Sequence, residues 1–213
     1  MIEIRALADI EEYVCDLKAV IFDLDDTLYS EKEYVKSGYK QIGEFFSEIP
    51  NMSEKLWTEF LRGGNAIDQV LKAEGRYSEE NKAECLRVYR FHKPNIYLYA
   101  GVEQLLIRLR ARGLKIGVIT DGRPEGQRAK IQSLGLKKWV DEIIITDELG
   151  GVEYRKPNAK AFECMKQRIG VNFAEMAYVG DNPKKDFIAP EKLGMKTYYF
   201  RNPDGLYYIP SIK

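Results

Sequence analysis

Short apolar runs alternate with longer amphipathic segments along most of this chain. Five of the runs are almost continuously hydrophobic, which is typical of strands that are covered on both faces of a parallel sheet. Apolar residues with helical spacing lie between the later runs, and Pro or Gly stands at the ends of these segments. The pattern predicts an α/β fold with a doubly wound parallel sheet. The predicted strands are residues 19–22, 115–119, 142–145, 176–179 and 196–200.

The interval between the first two predicted strands is far longer than one crossover connection needs. About 90 residues separate them, and their apolar positions repeat with helical spacing. Four amphipathic segments follow one another there, and the last is predicted to begin at Ser78. We therefore predict a helical subdomain at residues 31–97, inserted into a core that is formed by residues 1–30 and 98–213.

The composition is that of a globular protein and argues against several classes of partner. The 213 residues are 45% hydrophobic and 31% charged. The 33 basic residues equal the 33 acidic ones, and a net charge of zero argues against nucleic acid as a partner. No apolar run has the length that a bilayer span requires, so no membrane association is expected. A monomer and a homodimer are both compatible with these properties.

The N-terminal segment and the cysteines point to the cytoplasm. The first residues are acidic and lack the basic and apolar layout of a signal peptide. Cys15, Cys85 and Cys164 lie far apart and form no metal-binding motif, which predicts thiols in a reducing compartment. The residues before Lys18 are expected only to pack on the core. The tyrosine-rich C-terminal segment is interpreted as edge packing or a subunit contact.

Acidic and small polar residues follow directly after several of the predicted strands. The carboxyl ends of parallel strands meet at one edge of a sheet, where open α/β sheets bind ligands. A single such Asp is ordinarily a turn residue, but several at successive strand ends indicate a site. The candidate site residues are Asp23, Asp25, Thr120, Asp121, Gly122, Lys156, Asp181 and Asp186.

The predicted site contains more carboxylates than its single lysine can balance. Two carboxylates about 4 Å apart repel each other by about 4 kcal/mol at an effective dielectric constant near 20. A hard divalent cation removes this repulsion, and oxygen ligands without His or Cys favour magnesium over zinc. Thr120, the turn after it and Lys156 can hold a phosphoryl group. The four carboxylates expected around Lys156 are those of Asp23, Asp25, Asp181 and Asp186.

Four motifs, in this order, resemble those of the haloacid dehalogenase-like (HAD) superfamily. They are DLDDTL at 23–28, VITDG at 118–122, RKPNAKAF at 155–162 and YVGDNPKKD at 178–186. The resemblance covers nearly the whole chain from about Lys18. It implies a Rossmann-like core, a helical cap of the C1 type in the inserted subdomain, and hydrolysis of phosphate esters. Asp25 distinguishes phosphatase-like members from the dehalogenases that give the family its name.

The resemblance also implies a role for each site residue. Asp23 would be the nucleophile that forms an aspartyl-phosphate, and Asp25 the general acid and base. The carboxylates of Asp23 and Asp181, with the backbone carbonyl of Asp25, would hold Mg²⁺. Phosphate binding would fall to Thr120, Asp121, Gly122 and Lys156, and Asp186 would fix a metal-bound water or Lys156.

The inserted subdomain offers weaker candidates. The segment 62–65 resembles a substrate loop of the family's caps, in which Arg62 and Asn65 would contact the substrate; a simple turn between helices is the alternative. His92 is interpreted as a structural residue or as one near the cleft. The lysine pairs at 137–138 and 184–185 are interpreted as solvated faces.

The expected substrate is a small phosphorylated metabolite, either a sugar phosphate or a nucleoside monophosphate. A sugar-phosphate mutase of the same superfamily has the same motifs and stays open as an alternative. A non-catalytic interaction protein on the same fold is the third possibility, although intact Asp23 and Asp25 argue against it. No P-loop motif and no Ser nucleophile elbow is present, which argues against a P-loop kinase and a Ser–His–Asp hydrolase.

Overall fold

The computed structural model describes residues 1–208 and shows a parallel sheet of six strands with flanking helices. The strands lie in the order β1-β6-β5-β2-β3-β4, and every neighbouring pair is parallel. The predicted doubly wound α/β class is thereby confirmed. The strands are β1 Ile2–Ile4, β2 Ala19–Phe22, β3 Lys115–Thr120, β4 Glu142–Ile145, β5 Met176–Gly180 and β6 Lys196–Phe200. The helices are α1 Glu31–Phe45, α2 Met52–Leu61, α3 Ala66–Ala73, α4 Glu79–Phe91, α5 Val102–Ala111, α6 Pro124–Ser133, α7 Lys160–Ile169 and α8 Ile188–Lys192.

The centre of the sheet explains why the strand sequences are so apolar. Every residue of β2 and of β5 is buried, because helices cover both faces of these strands. β2 lies between β3 and β5, and its last residue, Phe22, is level with Val118 and Val179. The carboxyl ends of the three strands are therefore aligned, and the polar residues that follow them share one edge of the sheet.

The N-terminal residues form part of the sheet, which corrects the expectation that they only pack on the core. Ile2–Ile4 is an edge strand parallel to β6, with Ile2 opposite Tyr198 and Ile4 opposite Phe200. A short 3₁₀ helix at Leu7–Glu12 follows. Three alternating residues carry too weak a pattern to predict a strand, and the partner strand lies almost 200 positions later in the chain.

The chain divides into two compact units, one formed by Met1–Glu31 together with the chain from Tyr97 onward, the other by Lys32–Ile96. The second unit is helical and has its own hydrophobic core, which includes Ile42, Leu56 and Leu71. α4 begins after Ser78, whose hydroxyl accepts a hydrogen bond from the Asn81 N–H, as the sequence predicts. That this helical unit acts as a cap stays a prediction.

His92 is a buried residue within the helical unit. Its Nδ1 lies 2.6 Å from the carbonyl oxygen of Tyr89, and its ring lies 5.0 Å from that of Tyr34. These contacts fit the structural interpretation of this residue. No helix among residues 1–208 has both the length and the apolar character of a membrane span.

Candidate active site

The polar residues after β2, β3 and β5 come together at the carboxyl edge of the sheet. Asp23 follows β2, and its N–H continues the ladder by donating to the carbonyl of Val179 at 2.8 Å. Thr120 is the last residue of β3, and Asp181 follows β5 directly. The side chains of Asp23, Thr120 and Asp181 are buried, so the strand ends form a site that is largely shielded from solvent.

Lys156 is the cation at the centre of this site. Its Nζ lies 2.5 Å from Oδ1 of Asp23 and 2.9 Å from Oδ1 of Asp186. It also donates a hydrogen bond to the hydroxyl of Tyr178 at 2.9 Å. Burial opposes the charge on Lys156, but the carboxylates of Asp186 and Asp23 hold its pKa well above the ordinary value. Lys156 is therefore a charged ammonium that contacts the predicted nucleophile.

Three buried carboxylates form a group that a metal ion can bind. One oxygen from each of Asp23, Asp181 and Asp186 lies within 4.8 Å of the others. Oδ2 of Asp181 is buried and has no hydrogen-bond partner among residues 1–208. Burial, with the nearby carboxylates, raises the pKa of Asp181 to about 9, and burial raises that of Asp23 to about 7. A bound divalent cation would restore the ionised forms, so these residues fit a hard metal ion.

Asp25 faces a different cation from the one expected. Its carboxylate accepts hydrogen bonds from Nζ of Lys130 at 2.6 Å, from Nε2 of Gln127 at 3.1 Å and from the hydroxyl of Tyr29. Burial opposes its ionisation, but the charge and hydrogen bond of Lys130, together with the hydrogen bonds from Tyr29 and Gln127, outweigh burial and lower the pKa of Asp25. The expectation that Lys156 alone serves four carboxylates is therefore wrong, because Asp25 has a lysine of its own.

Asp121 is also paired with a lysine that the sequence analysis placed on a solvated face. Nζ of Lys185 lies 2.8 Å from Oδ2 of Asp121. Oδ1 of Asp121 accepts hydrogen bonds from the hydroxyl of Thr146 at 3.1 Å and from the N–H of Lys156 at 3.0 Å. The side chain of Asp121 is thus occupied by protein donors. The solvated interpretation of Lys185 is wrong, whereas its neighbour Lys184 is exposed.

The turn at 120–122 shows why these residue types follow β3. The hydroxyl of Thr120 is buried and has no hydrogen-bond partner in the described part of the chain, so it can bind a ligand oxygen. Gly122 has φ +137°, and a Cβ there would lie 2.7 Å from Nε2 of Gln127. The backbone angle therefore requires glycine, and a Cβ would also displace the end of the Gln127 side chain.

Gln127 and Lys130 are site residues that the sequence analysis missed. They lie three residues apart on one buried face of α6, next to Ile131. A lysine at a helix position that faces the core is itself a signal, because lysine is rarely buried without a partner. Tyr178 was missed for another reason: within an apolar strand its hydroxyl has no sequence signature.

The loop after Asp25 is held by Asp26, which has φ +52°. Asp is one of the few residue types that tolerate this left-handed conformation. Oδ1 of Asp26 accepts a hydrogen bond from the N–H of Glu31, and Oδ2 accepts one from the N–H of Leu206. The same carboxylate therefore supports the start of α1 and ties the C-terminal segment to the site loop. Tyr207, in that segment, is exposed.

Arg62 and Asn65 lie in the connection between α2 and α3 of the helical unit. Arg62 is exposed and its Nη1 lies 2.5 Å from Oε1 of Glu59. Oδ1 of Asn65 accepts a hydrogen bond from the N–H of Asp68 at 3.4 Å and thereby caps α3. Both contacts are local, as a simple turn requires, and contact of either residue with a substrate stays a prediction.

The fold and the site define an α/β enzyme core with buried acidic side chains at the carboxyl edge of its sheet. The sequence pattern of the haloacid dehalogenase-like hydrolase family matches residues 20–200 of this chain. The chain belongs to this family, as the four motifs indicated, and is a hydrolase of that class.

Individual relatives support the assignment along most of the chain. Over 197 residues the chain is 32% identical to glyceraldehyde 3-phosphate phosphatase of Methanocaldococcus jannaschii, covering 85% of this chain and 83% of the relative. It is 24% identical over 209 residues to a pyrimidine 5′-nucleotidase of Escherichia coli, covering 88% of this chain and 89% of the relative. A magnesium-bound HAD hydrolase of Bacillus subtilis has the same fold, with a TM-score of 0.66 at 19% identity. The match covers 92% of this chain and 90% of the Bacillus subtilis chain.

Proposed function

We propose that the protein is a magnesium-dependent phosphatase that hydrolyses a small phosphorylated metabolite through an aspartyl-phosphate. The observation that carries the proposal is the buried group of Asp23, Asp181 and Asp186 with the Lys156 ammonium 2.5 Å from Asp23. A carboxylate beside a lysine and a hard cation is suited to attack a phosphoryl group whose negative charge both cations offset.

The first step is attack of an Asp23 carboxylate oxygen on phosphorus. The bond between phosphorus and the ester oxygen breaks, and that oxygen takes a proton from Asp25. Lys156 and the hydroxyl of Thr120 would hold the transferring phosphoryl group, together with the backbone of Asp121 and Gly122. In the second step, the Asp25 carboxylate takes a proton from water, which attacks the aspartyl-phosphate and releases inorganic phosphate.

Magnesium would be held by the carboxylates of Asp23 and Asp181 and by the backbone carbonyl of Asp25, and when bound it supplies positive charge to the phosphoryl oxygens. Asp186 is engaged by Lys156 at 2.9 Å and accepts a hydrogen bond from the N–H of Asn182 at 2.9 Å. These contacts support a positioning role for Asp186.

Lys130 favours the ionised form of Asp25 in the free protein. This form is the base that the second step requires, whereas the first step requires the protonated form. Phosphorylation of Asp23 is therefore expected to slow as the pH rises. At neutral pH the ionised form of Asp25, which activates water in the second step, predominates. The two steps place opposite demands on one carboxylate, and Lys130 sets the balance between them.

Sugar phosphates and nucleoside monophosphates are the substrates that we propose first. The names of the archaeal and Escherichia coli relatives support a triose phosphate and a pyrimidine nucleotide as the starting members of a substrate panel. A mutase would instead isomerise a sugar phosphate without releasing phosphate. Release of inorganic phosphate is therefore the measurement that separates these alternatives.

The test is hydrolysis of p-nitrophenyl phosphate and of the metabolite panel by purified protein with Mg²⁺. We expect phosphate release that stops on chelation of the metal and that is absent from Asp23→Asn, while circular dichroism shows that this variant is folded. Activity that persists in Asp23→Asn, or that survives chelation, would contradict the mechanism.

A further inference from the structure

The side chain of Asp121 connects three segments of the site. Oδ1 accepts hydrogen bonds from the hydroxyl of Thr146, which directly follows β4, and from the N–H of Lys156. Asp121 itself follows Thr120 in the chain. This carboxylate therefore fixes the positions of the two residues, Thr120 and Lys156, that are proposed to hold the phosphoryl group.

The carboxylate of Asp121 also places a negative charge next to the proposed phosphate site. Burial opposes ionisation of Asp121, but Lys156 and Lys185 outweigh burial and lower its pKa, so the group is a carboxylate. Its side chain is only 9% exposed, which limits screening by solvent. Without a compensating charge, Asp121 would repel the phosphate that Thr120 and Lys156 are positioned to bind.

Lys185 supplies that charge from the turn after β5. Its Nζ lies 2.8 Å from Oδ2 of Asp121, on the oxygen that Thr146 and Lys156 do not use. The ammonium of Lys156 also lowers the pKa of Asp121, but it is paired with Asp23 and Asp186, whereas the ammonium of Lys185 contacts the Asp121 carboxylate directly. The Lys185 side chain is 30% exposed, so it reaches Asp121 from the solvent side.

We propose that Lys185 is a positioning residue, which neutralises Asp121 and thereby lets the turn at 120–122 bind a phosphate group. Lys185 acts through Asp121 and does not itself contact the substrate. Its effect on phosphate binding therefore depends on the negative charge at position 121. This inference rests on the proposed phosphatase function, but its central readout is binding of inorganic phosphate, which does not require turnover.

The test is a double-mutant cycle of Lys185→Met and Asp121→Asn. Binding of inorganic phosphate is measured by calorimetry with Mg²⁺ present, and kcat/KM with p-nitrophenyl phosphate. In the natural background, Lys185→Met is expected to weaken phosphate binding and to lower kcat/KM, each at least tenfold. In the Asp121→Asn background, the same change should cost less than threefold, because there is no charge left to neutralise.

Two further variants separate this role from a general effect on structure. Lys184→Met removes the exposed neighbouring lysine and should leave both measurements unchanged, and Lys185→Arg should retain most of the phosphate affinity. Melting temperatures identify any variant that fails to fold, and the Asp121→Asn background provides a second measurement of the same change.

Three results would overturn the inference. The first is a phosphate affinity of Lys185→Met equal to that of the natural protein. The second is an equal loss of affinity from Lys185→Met in the Asp121→Asn background, which would mean direct contact of Lys185 with the ligand. The third is a loss of affinity in Lys184→Met equal to that in Lys185→Met. A natural protein that binds phosphate but hydrolyses no phosphate ester would contradict the proposed function alone, and the binding cycle would still decide the inference.

Discussion

Replacing Lys130 by Met is expected to change both the stability of the protein and the slow step of its reaction. Nζ of Lys130 lies 2.6 Å from Oδ1 of Asp25, and their side chains are 6% and 18% exposed. At this distance the Coulomb attraction is about 6 kcal/mol at an effective dielectric constant of 20. Removing one partner of a buried ion pair costs about 3–5 kcal/mol, because the other charge stays buried. Asp25 keeps Gln127 and Tyr29 as partners, so we expect about 3 kcal/mol.

The loss of stability should depend on pH in a defined direction. The pKa of Asp25 in the folded protein lies below the ordinary value of 3.8, so its pairing stabilises the fold above that pH. The stability that the pair contributes is lost as the pH falls from 3.8 through the lower pKa of the folded state. The difference in the free energy of unfolding between the natural protein and Lys130→Met should therefore be largest at high pH, should begin to shrink as the pH falls through the higher pKa of Asp25 in the variant, and should be lost below its pKa in the natural protein. Urea denaturation over this pH range measures it.

The kinetic consequence follows from the higher pKa of Asp25 in the variant. Without Lys130, the largest influence that lowers the pKa of Asp25 is lost, so more of Asp25 is protonated at a given pH. The acid form that the first step requires is then more populated, and the base form that the second step requires is less populated. Lys130→Met should therefore show a burst of p-nitrophenol equal to the enzyme concentration, followed by turnover about tenfold slower or more. Stopped-flow absorbance at pH 7 measures both phases, and Lys137→Met, which removes an exposed lysine, is the matched control.

Unchanged stability together with the kinetics of the natural protein would refute this reasoning. A loss of stability without a burst would refute the kinetic part alone, because it would show that Lys130 holds the fold without setting the balance of the two steps.

Three further predictions concern the metal, the edge strand and the helical unit. Mg²⁺ affinity should strengthen from pH 6 to pH 9, because Asp23 and Asp181, with pKa values of about 7 and about 9, must lose protons to bind it; calorimetry that finds constant affinity would contradict this. Ile4→Ala should lower the free energy of unfolding by about 2–3 kcal/mol in urea, since Ile4 is 2% exposed, whereas Ile2→Ala, at a 42% exposed site, should cost much less. Arg62→Ala should raise KM for the preferred metabolite several-fold and leave Mg²⁺ affinity alone; an unchanged KM would leave Arg62 as part of a simple turn.

Much of the fold could be predicted because its signals are local. The five long strands are continuous apolar runs, and all five lie in the sheet where the sequence placed them, with β3 and β5 each one residue longer than predicted. Acidic residues of the site directly follow three of these strands, so the topology of a parallel sheet brought Asp23, Asp121 and Asp181 to the same edge. β1 was missed because three residues are too few to show a strand pattern, and only their pairing with β6 identifies them as a strand.

The site shows the same division between local and distant information. Which residue types collect at the carboxyl edge of the sheet was determined by the sequence, because strand ends are readable from the hydrophobic pattern. Which lysine neutralises which carboxylate was decided only by the tertiary structure. Lys130 and Asp25 are 105 positions apart, and Lys185 and Asp121 are 64 apart. The hydrophobic pattern specifies where a strand ends, but an ion pair between distant segments depends on how helices and loops pack, and that packing brings three lysines to a site where the sequence predicted one.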